Sequence, residues 1–272
     1  MIQLDRAVDR RGILSPVTWE LGPGAHGLIG PNGSGKTTLL RTIAGLTPLR
    51  SGTRRVDTAA MSPTGGDIAF AGDRLHDHFA TATLIHPRFD HELAGQIIAL
   101  LNLSPDQRVR KLSVGGRQLA AVATILASRA EVMLLDEPFT GLDVTARDGL
   151  RSAILGLMQG SPELTIIITS HRSEDLAGIV EDVTPINRQR LGETASLDAL
   201  RTHFPTLSGP AEAVRQAAGS RPIVKEQSLG SILRLTVAGA IENTPPEVSV
   251  DYPDDAAAID ALVYQERNHA HA

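Results

Sequence analysis

Cysteine is absent from all 272 residues, which excludes disulfides, thiolate metal sites and cysteine nucleophiles. A reducing compartment is compatible with that composition. A basic excess is also missing: the net charge is −5, which argues against a general polyanion binder. Aromatics make up only 3%, and none interleaves the short basic run Arg108, Arg110 and Lys111, so that run reads as a solvated or partner-facing edge and not as a nucleic-acid site. No long hydrophobic run occurs. Stretches such as Val132-Met133-Leu134-Leu135 are far short of a membrane span, so any work at a bilayer requires docking onto another chain. The first residues carry no basic segment followed by an apolar one, and no secretory signal is expected. What is present, 42% hydrophobic and 21% charged residues, suits a globular chain with a sizeable core: one large domain, or one domain with a small appendage.

Residues 2–21 alternate loosely and predict a strand pair. Gly27-Leu28-Ile29 ends a short strand, and Lys36 to Leu46 predicts a helix with Leu39, Leu40, Ile43 and Leu46 on one side. Short strands are expected near Thr53–Asp57 and Asp67–Ala71, a polar loop from Asp73 to Pro87, and a helical stripe over Leu93–Leu101. Gln118 to Ala127, apolar almost all round, predicts a buried helix. Glu131–Leu135 and Leu164–Thr169 are continuous apolar runs, as parallel strands covered on both faces require. A helix from about Val144 to Met158 separates them. This strand–helix–strand repetition predicts an α/β, doubly wound sheet. Near Thr206–Pro210 the texture becomes a turn-rich link; beyond it, a helix (Ala211–Ala218), strands (Ile232–Val237, Val248–Val250) and a last helix (Ala256–Gln265) suggest a small α+β appendage.

Gly30-Pro31-Asn32-Gly33-Ser34-Gly35-Lys36-Thr37, followed by Thr38, has P-loop spacing. Its glycines let N–H groups wrap a phosphate at the positive end of a helix. Lys36 supplies a cation for the β/γ-phosphates, and the Thr37 hydroxyl can ligate Mg²⁺. At ordinary glycine frequency a chance match in such a chain is roughly one in a hundred, and the strand before and helix after lower it further. Further on, an apolar strand ends in Asp136-Glu137-Pro138. Neighbouring side chains on a strand point opposite ways. Asp136 is thereby read as the Mg²⁺ carboxylate and Glu137 as the general base or water-orienting residue.

Leu112-Ser113-Val114-Gly115-Gly116-Arg117-Gln118 precedes the apolar helix. It resembles the signature sequence of ABC ATPases, usually Leu-Ser-Gly-Gly-Gln, with Ser113 and Gly115 on its Ser and second Gly, Val114 replacing the first Gly and Gly116 the Gln. Gly141-Leu142-Asp143 resembles the family's D-loop, and Thr169-Ser170-His171 its switch histidine. The resemblance covers roughly residues 1–203 and implies a P-loop NTPase fold of ABC ATPase type, with a helical subdomain (arm about 74–128), an N-terminal antiparallel β element and a C-terminal accessory domain over 205–272, the ATPase domain being 1–204. It implies ATP and Mg²⁺ as ligands, with Lys36, Glu137 and His171 catalytic. Ser113, Gly115, Gly116 and Asp143 would close over nucleotide held by a second ATPase subunit, identical or not.

Two positions depart from the family pattern. Asp73 falls where a Q-loop Gln is usual, and a carboxylate there would still reach Mg²⁺ or its water. The aromatic that stacks on adenine is missing: Val8 falls in its place with Arg10 and Arg11 nearby, and arginine stacks on a base by cation–π contact. The short arm, the His86–Asp90 stretch and the variant signature resemble bacterial ABC-2-type export ATPases. That implies a peripheral subunit on the cytoplasmic membrane face, bound to an integral membrane permease and not to nucleic acid. The alternatives are a non-transport ABC ATPase acting on ribosomes or DNA, whose usual tandem domains or coiled-coil insertions are lacking here, and a degenerate regulatory subunit, against which Lys36, Glu137 and His171 all stand.

Overall fold

A computed structural model describes residues 1–62, 68–241 and 244–269. From the N-terminus, β1 (Ile2–Asp9) and β2 (Val17–Leu21) pair antiparallel, and β3 (Gly24–Ile29) runs through the P-loop into α1 (Lys36–Ile43). β4 (Leu49–Val56) and β5 (Ala59–Ser62) are followed by helices α2 (Leu75–Ile85), α3 (His91–Ala99) and α4 (Val114–Ala127). Strands and helices then alternate through β6 (Val132–Asp136), α5 (Val144–Gln159), β7 (Thr165–Ser170), α6 (Ser173–Leu176) and β8 (Asp182–Asn187). Short strands β9 (Arg190–Leu191) and β10 (Ala195–Ser196) lead into α7 (Leu197–His203). The last segment comprises β11 (Thr206–Pro210), α8 (Ala211–Ala218), β12 (Ile223–Leu229), β13 (Ile232–Val237), β14 (Ser249–Asp251) and α9 (Asp255–His269).

The central sheet runs β10-β8-β3-β7-β6-β5, with β9 beside β8; from β8 to β5 every neighbouring pair is parallel. Both faces are covered, as the continuous apolar runs require. In β6, Val132 and Leu134 join a core that contains α1 and the β2-β1-β4 sheet, while Met133 and Leu135 join the core built by the helices on the opposite face. The period of two sorts one strand's side chains between two cores. Since β3, β6 and β7 are parallel neighbours, their carboxyl ends lie side by side, where ligands bind in open α/β sheets.

The structure revises three local expectations and adds a strand to the central sheet. The loop expected from Asp73 to Pro87 is the helix α2. Leu75, Phe79 and Ala82, at helical spacing, are buried, and the Asp77 carboxylate accepts the backbone N–H groups of Asp73 and Arg74 at 3.2 and 3.0 Å. That apolar stripe of three is too thin to stand out among the histidines and threonines. The strand expected at Asp67–Ala71 is absent at residues 68–71, Asp67 lies outside the described residues, and the edge strand β5 lies earlier, at Ala59–Ser62. Thr206–Pro210 is the strand β11, flanked on both sides in the sheet β12-β13-β11-β14. The strand β8, on the far side of β3, had no counterpart in the sequence reading. One face of the C-terminal sheet packs Leu207, Leu233, Leu235 and Val237 against Val214 and Ala218 of α8. Helix α9 instead places Ala258, Ile259 and Leu262 in the same core as Leu197, Leu200 and Phe204. Among the described residues no helix is long and apolar enough to cross a membrane.

Candidate functional site

The P-loop leaves β3 as a cradle of about 320 Å³ bordered by Asn32 to Thr38, Ile13 and Glu137. A methyl group at Gly30 would fall 2.1 Å from the Ile186 carbonyl oxygen, so only glycine lets the loop run this close to β8. Lys36 is buried, with its ammonium 2.7 Å from the Gly30 carbonyl oxygen and 3.3 Å from that of Pro31. The buried Ser34 hydroxyl has no hydrogen-bond partner among the described residues. A buried polar group left unpaired is costly, and a phosphate oxygen in the cradle would satisfy it.

Asp136, at the end of β6, is fully buried and held from two sides. Thr37 donates its hydroxyl to Oδ2 at 2.7 Å, and Thr169, at the end of β7, donates to Oδ1 at 2.7 Å. A hydroxyl that donates its proton to a carboxylate keeps its lone pairs for a cation. This oxygen-donor pair beside a phosphate cradle fits Mg²⁺, which takes few protein ligands together with substrate phosphates. The Glu137 backbone N–H donates to Thr169 Oγ1 at 2.9 Å, so one hydroxyl fixes both acids. Replacement of Thr169 by valine leaves the Asp136 carboxylate short of a donor and the Glu137 N–H unpaired. We expect a stability loss of about 1–3 kcal/mol and a raised Mg²⁺ requirement, read from denaturant midpoints and Mg²⁺ titrations of turnover.

Glu137 adopts φ +49°, a left-handed conformation that costs non-glycine residues of order 1–3 kcal/mol. The turn aims its carboxylate at the cradle: Oε1 lies 3.2 Å from Lys36 Nζ and Oε2 2.9 Å from His171 Nδ1. Oε1 is buried without a hydrogen-bond partner among the described residues; its contact with Lys36 is an ion pair without hydrogen-bond alignment. The three residues read as catalytic are thereby brought together.

The signature and D-loop residues lie elsewhere and do not line this cradle. Ser113 caps α4, accepting the Gly116 N–H at 3.0 Å, and Asp143 caps α5, accepting the Ala146 N–H at 2.8 Å. The two helix starts touch: a methyl group at Gly115 would come 2.2 Å from the Gly141 carbonyl oxygen. Beside them Val114 and Val144 are 71% and 75% exposed. Nor is Asp73 in the cradle. It is exposed in the turn before α2, and its carbonyl accepts the Val109 N–H at 2.9 Å. In that turn the Arg74 N–H bond holds the Asp77 carboxyl below its usual range, and burial beside Phe70 lowers the His78 pKa.

Several contributors escaped the sequence reading. Gln118 donates to the Asp136 carbonyl at 3.2 Å, and Gln189 to that of Gly33 at 2.9 Å. Arg117 ties α4 to the segment before α2, donating to the Ile68 carbonyl at 2.7 Å with its guanidinium 5.4 Å from the Phe70 ring. Ile13 borders the cradle at 41% exposure. Only Gln118, a polar residue in an apolar helix, left a signal in the sequence.

A P-loop joined to a strand-end Asp-Glu pair and a strand-end histidine, on a parallel sheet flanked by an antiparallel one, defines a nucleotide-binding domain. Residues 14–140 match the ABC transporter family model. The ABC transporter ATP-binding protein YtrB of Bacillus subtilis is 27% identical over 214 residues, 74% of this chain and 73% of that protein. The sulfate/thiosulfate import ATP-binding protein CysA of Nocardia farcinica is 31% identical over 200 residues, 67% of this chain. This chain spans 60% of that relative's length. Among solved structures, an ATP-binding subunit of an ABC transporter superposes with a TM-score of 0.63 at 19% identity, over 74% of this chain and 92% of that one. A dimeric ATP-binding cassette in a post-hydrolysis state with ADP and Pi gives 0.63 at 16% identity, over 72% and 98%. Over residues 14–140 the chain thus matches the ABC transporter family, and its fold is that of the ATP-binding cassettes it superposes on.

Proposed function

We propose that this subunit works as one half of a two-subunit ATP sandwich, opening and closing to drive export through a separate integral membrane permease. The observation that carries the reading is the Glu137 carboxylate held between Lys36 and His171, with one oxygen lacking a hydrogen bond. Lys36 and the P-loop N–H groups hold the β/γ-phosphates. Thr37 and Asp136 would hold Mg²⁺, which would supply charge neutralisation at the phosphates. Glu137 orients a water in line with the γ-phosphate and takes its proton, while His171 steadies Glu137 and reaches the transferring group. Ser113 and Gly115 at the exposed start of α4 offer a hydroxyl and a positive helix end to nucleotide on a facing subunit. Closure with nucleotide and reopening after hydrolysis then work on a docked partner, because the two states differ in binding energy.

Residues 1–204 form the engine in this reading and residues 205–272 an accessory unit. Export is favoured by the short arm and variant signature, although several similar proteins are importers. An aliphatic Ile13 at the cradle mouth supplies no ring to stack on a base, and ring pairs are worth about 0.5–1.5 kcal/mol. GTP is therefore expected to compete with ATP to within about tenfold; a strict preference for ATP in a competition assay contradicts this. The functional reading is tested by mild-detergent capture of the tagged chain from its native membranes with mass spectrometry. A stoichiometric polytopic membrane protein supports it, and ribosomal or DNA-repair proteins without one overturn it.

A further inference from the structure

The two faces of the C-terminal sheet differ. Leu233, Leu235 and Val237 of β13 point to α8, so Arg234 and Thr236 point the other way. The cross-strand partner of Arg234 is Gln227 and that of Thr236 is Lys225, which puts both on the same second face. The register shifts between Ile223 and Lys225. A bulge there turns Val224 and Lys225 into the same space. Over this face α9 lays Ala257, Ala261 and Tyr264, at helical spacing, and encloses a cavity of about 330 Å³.

We infer that this cavity is a binding site for a small organic anion, a carboxylate on an apolar or aromatic body. Its size is at the lower end of small-molecule sites, which combine apolar walls with a few polar groups. Lys225 and Arg234 both border it, and neither forms a salt bridge among the described residues. Asp260 is the acidic residue of the lining, so the balance is one positive charge. The guanidinium fork of Arg234 matches a carboxylate, while Val224, Ala257, Ala261 and the Tyr264 ring supply the apolar wall. Cross-strand from Arg234 on the same face, the buried Ser208 hydroxyl has no hydrogen-bond partner among the described residues.

Helix α9 also joins the cavity to the ATPase core. At its start, Asp255 accepts the Gly178 N–H at 3.1 Å and pairs with Arg201 at 2.6 Å. Gly178 follows α6, which begins two residues after His171. A ligand that shifts α9 therefore bears on the segment carrying His171.

The test is calorimetric titration of the full chain with benzoate in saturating MgADP, which keeps the probe out of the P-loop. Saturable binding is expected, weakened at least about tenfold in Lys225→Gln/Arg234→Gln and unchanged in the charge-matched control Arg55→Gln/Arg110→Gln. Absence of binding, or equal binding by all three proteins, overturns the site. Inorganic phosphate binding as tightly as benzoate overturns the role of the apolar wall. Benzoate is also expected to change ATP turnover in the wild type and not in Lys225→Gln/Arg234→Gln; binding without that change overturns the link through α9. Comparison of the variants reads the site even if the nucleotide reading fails.

Discussion

Glu137→Gln is expected to hydrolyse ATP roughly 10²–10⁴-fold more slowly than the wild type while still dimerising with MgATP. The substitution keeps the shape and a hydrogen bond toward His171, and it removes the proton acceptor. It also removes the negative charge 3.2 Å from Lys36 Nζ, leaving that ammonium to the phosphates, so nucleotide affinity is expected to hold or rise. Phosphate release reads the first effect and light scattering with and without MgATP the second. Wild-type turnover in the variant removes Glu137 from its role.

Gly115→Ala is expected to abolish the MgATP-dependent dimer and to lower turnover by at least about a hundredfold, the scale of losing one positioned contact group. The added methyl meets the Gly141 carbonyl oxygen, a backbone atom, at 2.2 Å, so α4 or the Gly141 turn must shift. Both carry surfaces assigned to the facing subunit. The P-loop residues are untouched, so the monomer is expected to bind MgATP normally by fluorescence titration with a labelled nucleotide. Loss of nucleotide binding by the monomer contradicts the division between the two half-sites.

The parts of the site legible in the sequence are those in which chemistry fixes spacing. The P-loop needs its glycines and Lys36 in one short run, and Asp136-Glu137 announces itself by ending an apolar strand. Illegible parts are made by distant residues. Thr169 holds both acids only because β7 lies beside β6, and Gln189 reaches Gly33 across 156 positions. In the fold, the central strands were legible because both faces are apolar. Helix α2 was not, since three buried side chains suffice for a helix lying on α4. Strand β5 is built of Ala-Ala-Met-Ser and lacks β-branched residues. Strand β11 reads Thr-Leu-Ser-Gly-Pro, a turn composition that sheet neighbours on both sides override.

In the proposed sandwich the start of α4 in one subunit faces the P-loop of another, and the absence of cysteine makes that arrangement measurable by cross-linking. Chains carrying Asn32→Cys are mixed with chains carrying Val114→Cys, both in the Glu137→Gln background, and treated with a short bis-maleimide. Both positions are exposed. A covalent heterodimer is expected to form with MgATP and not without nucleotide. No cross-link, or the same yield in either condition, would contradict it.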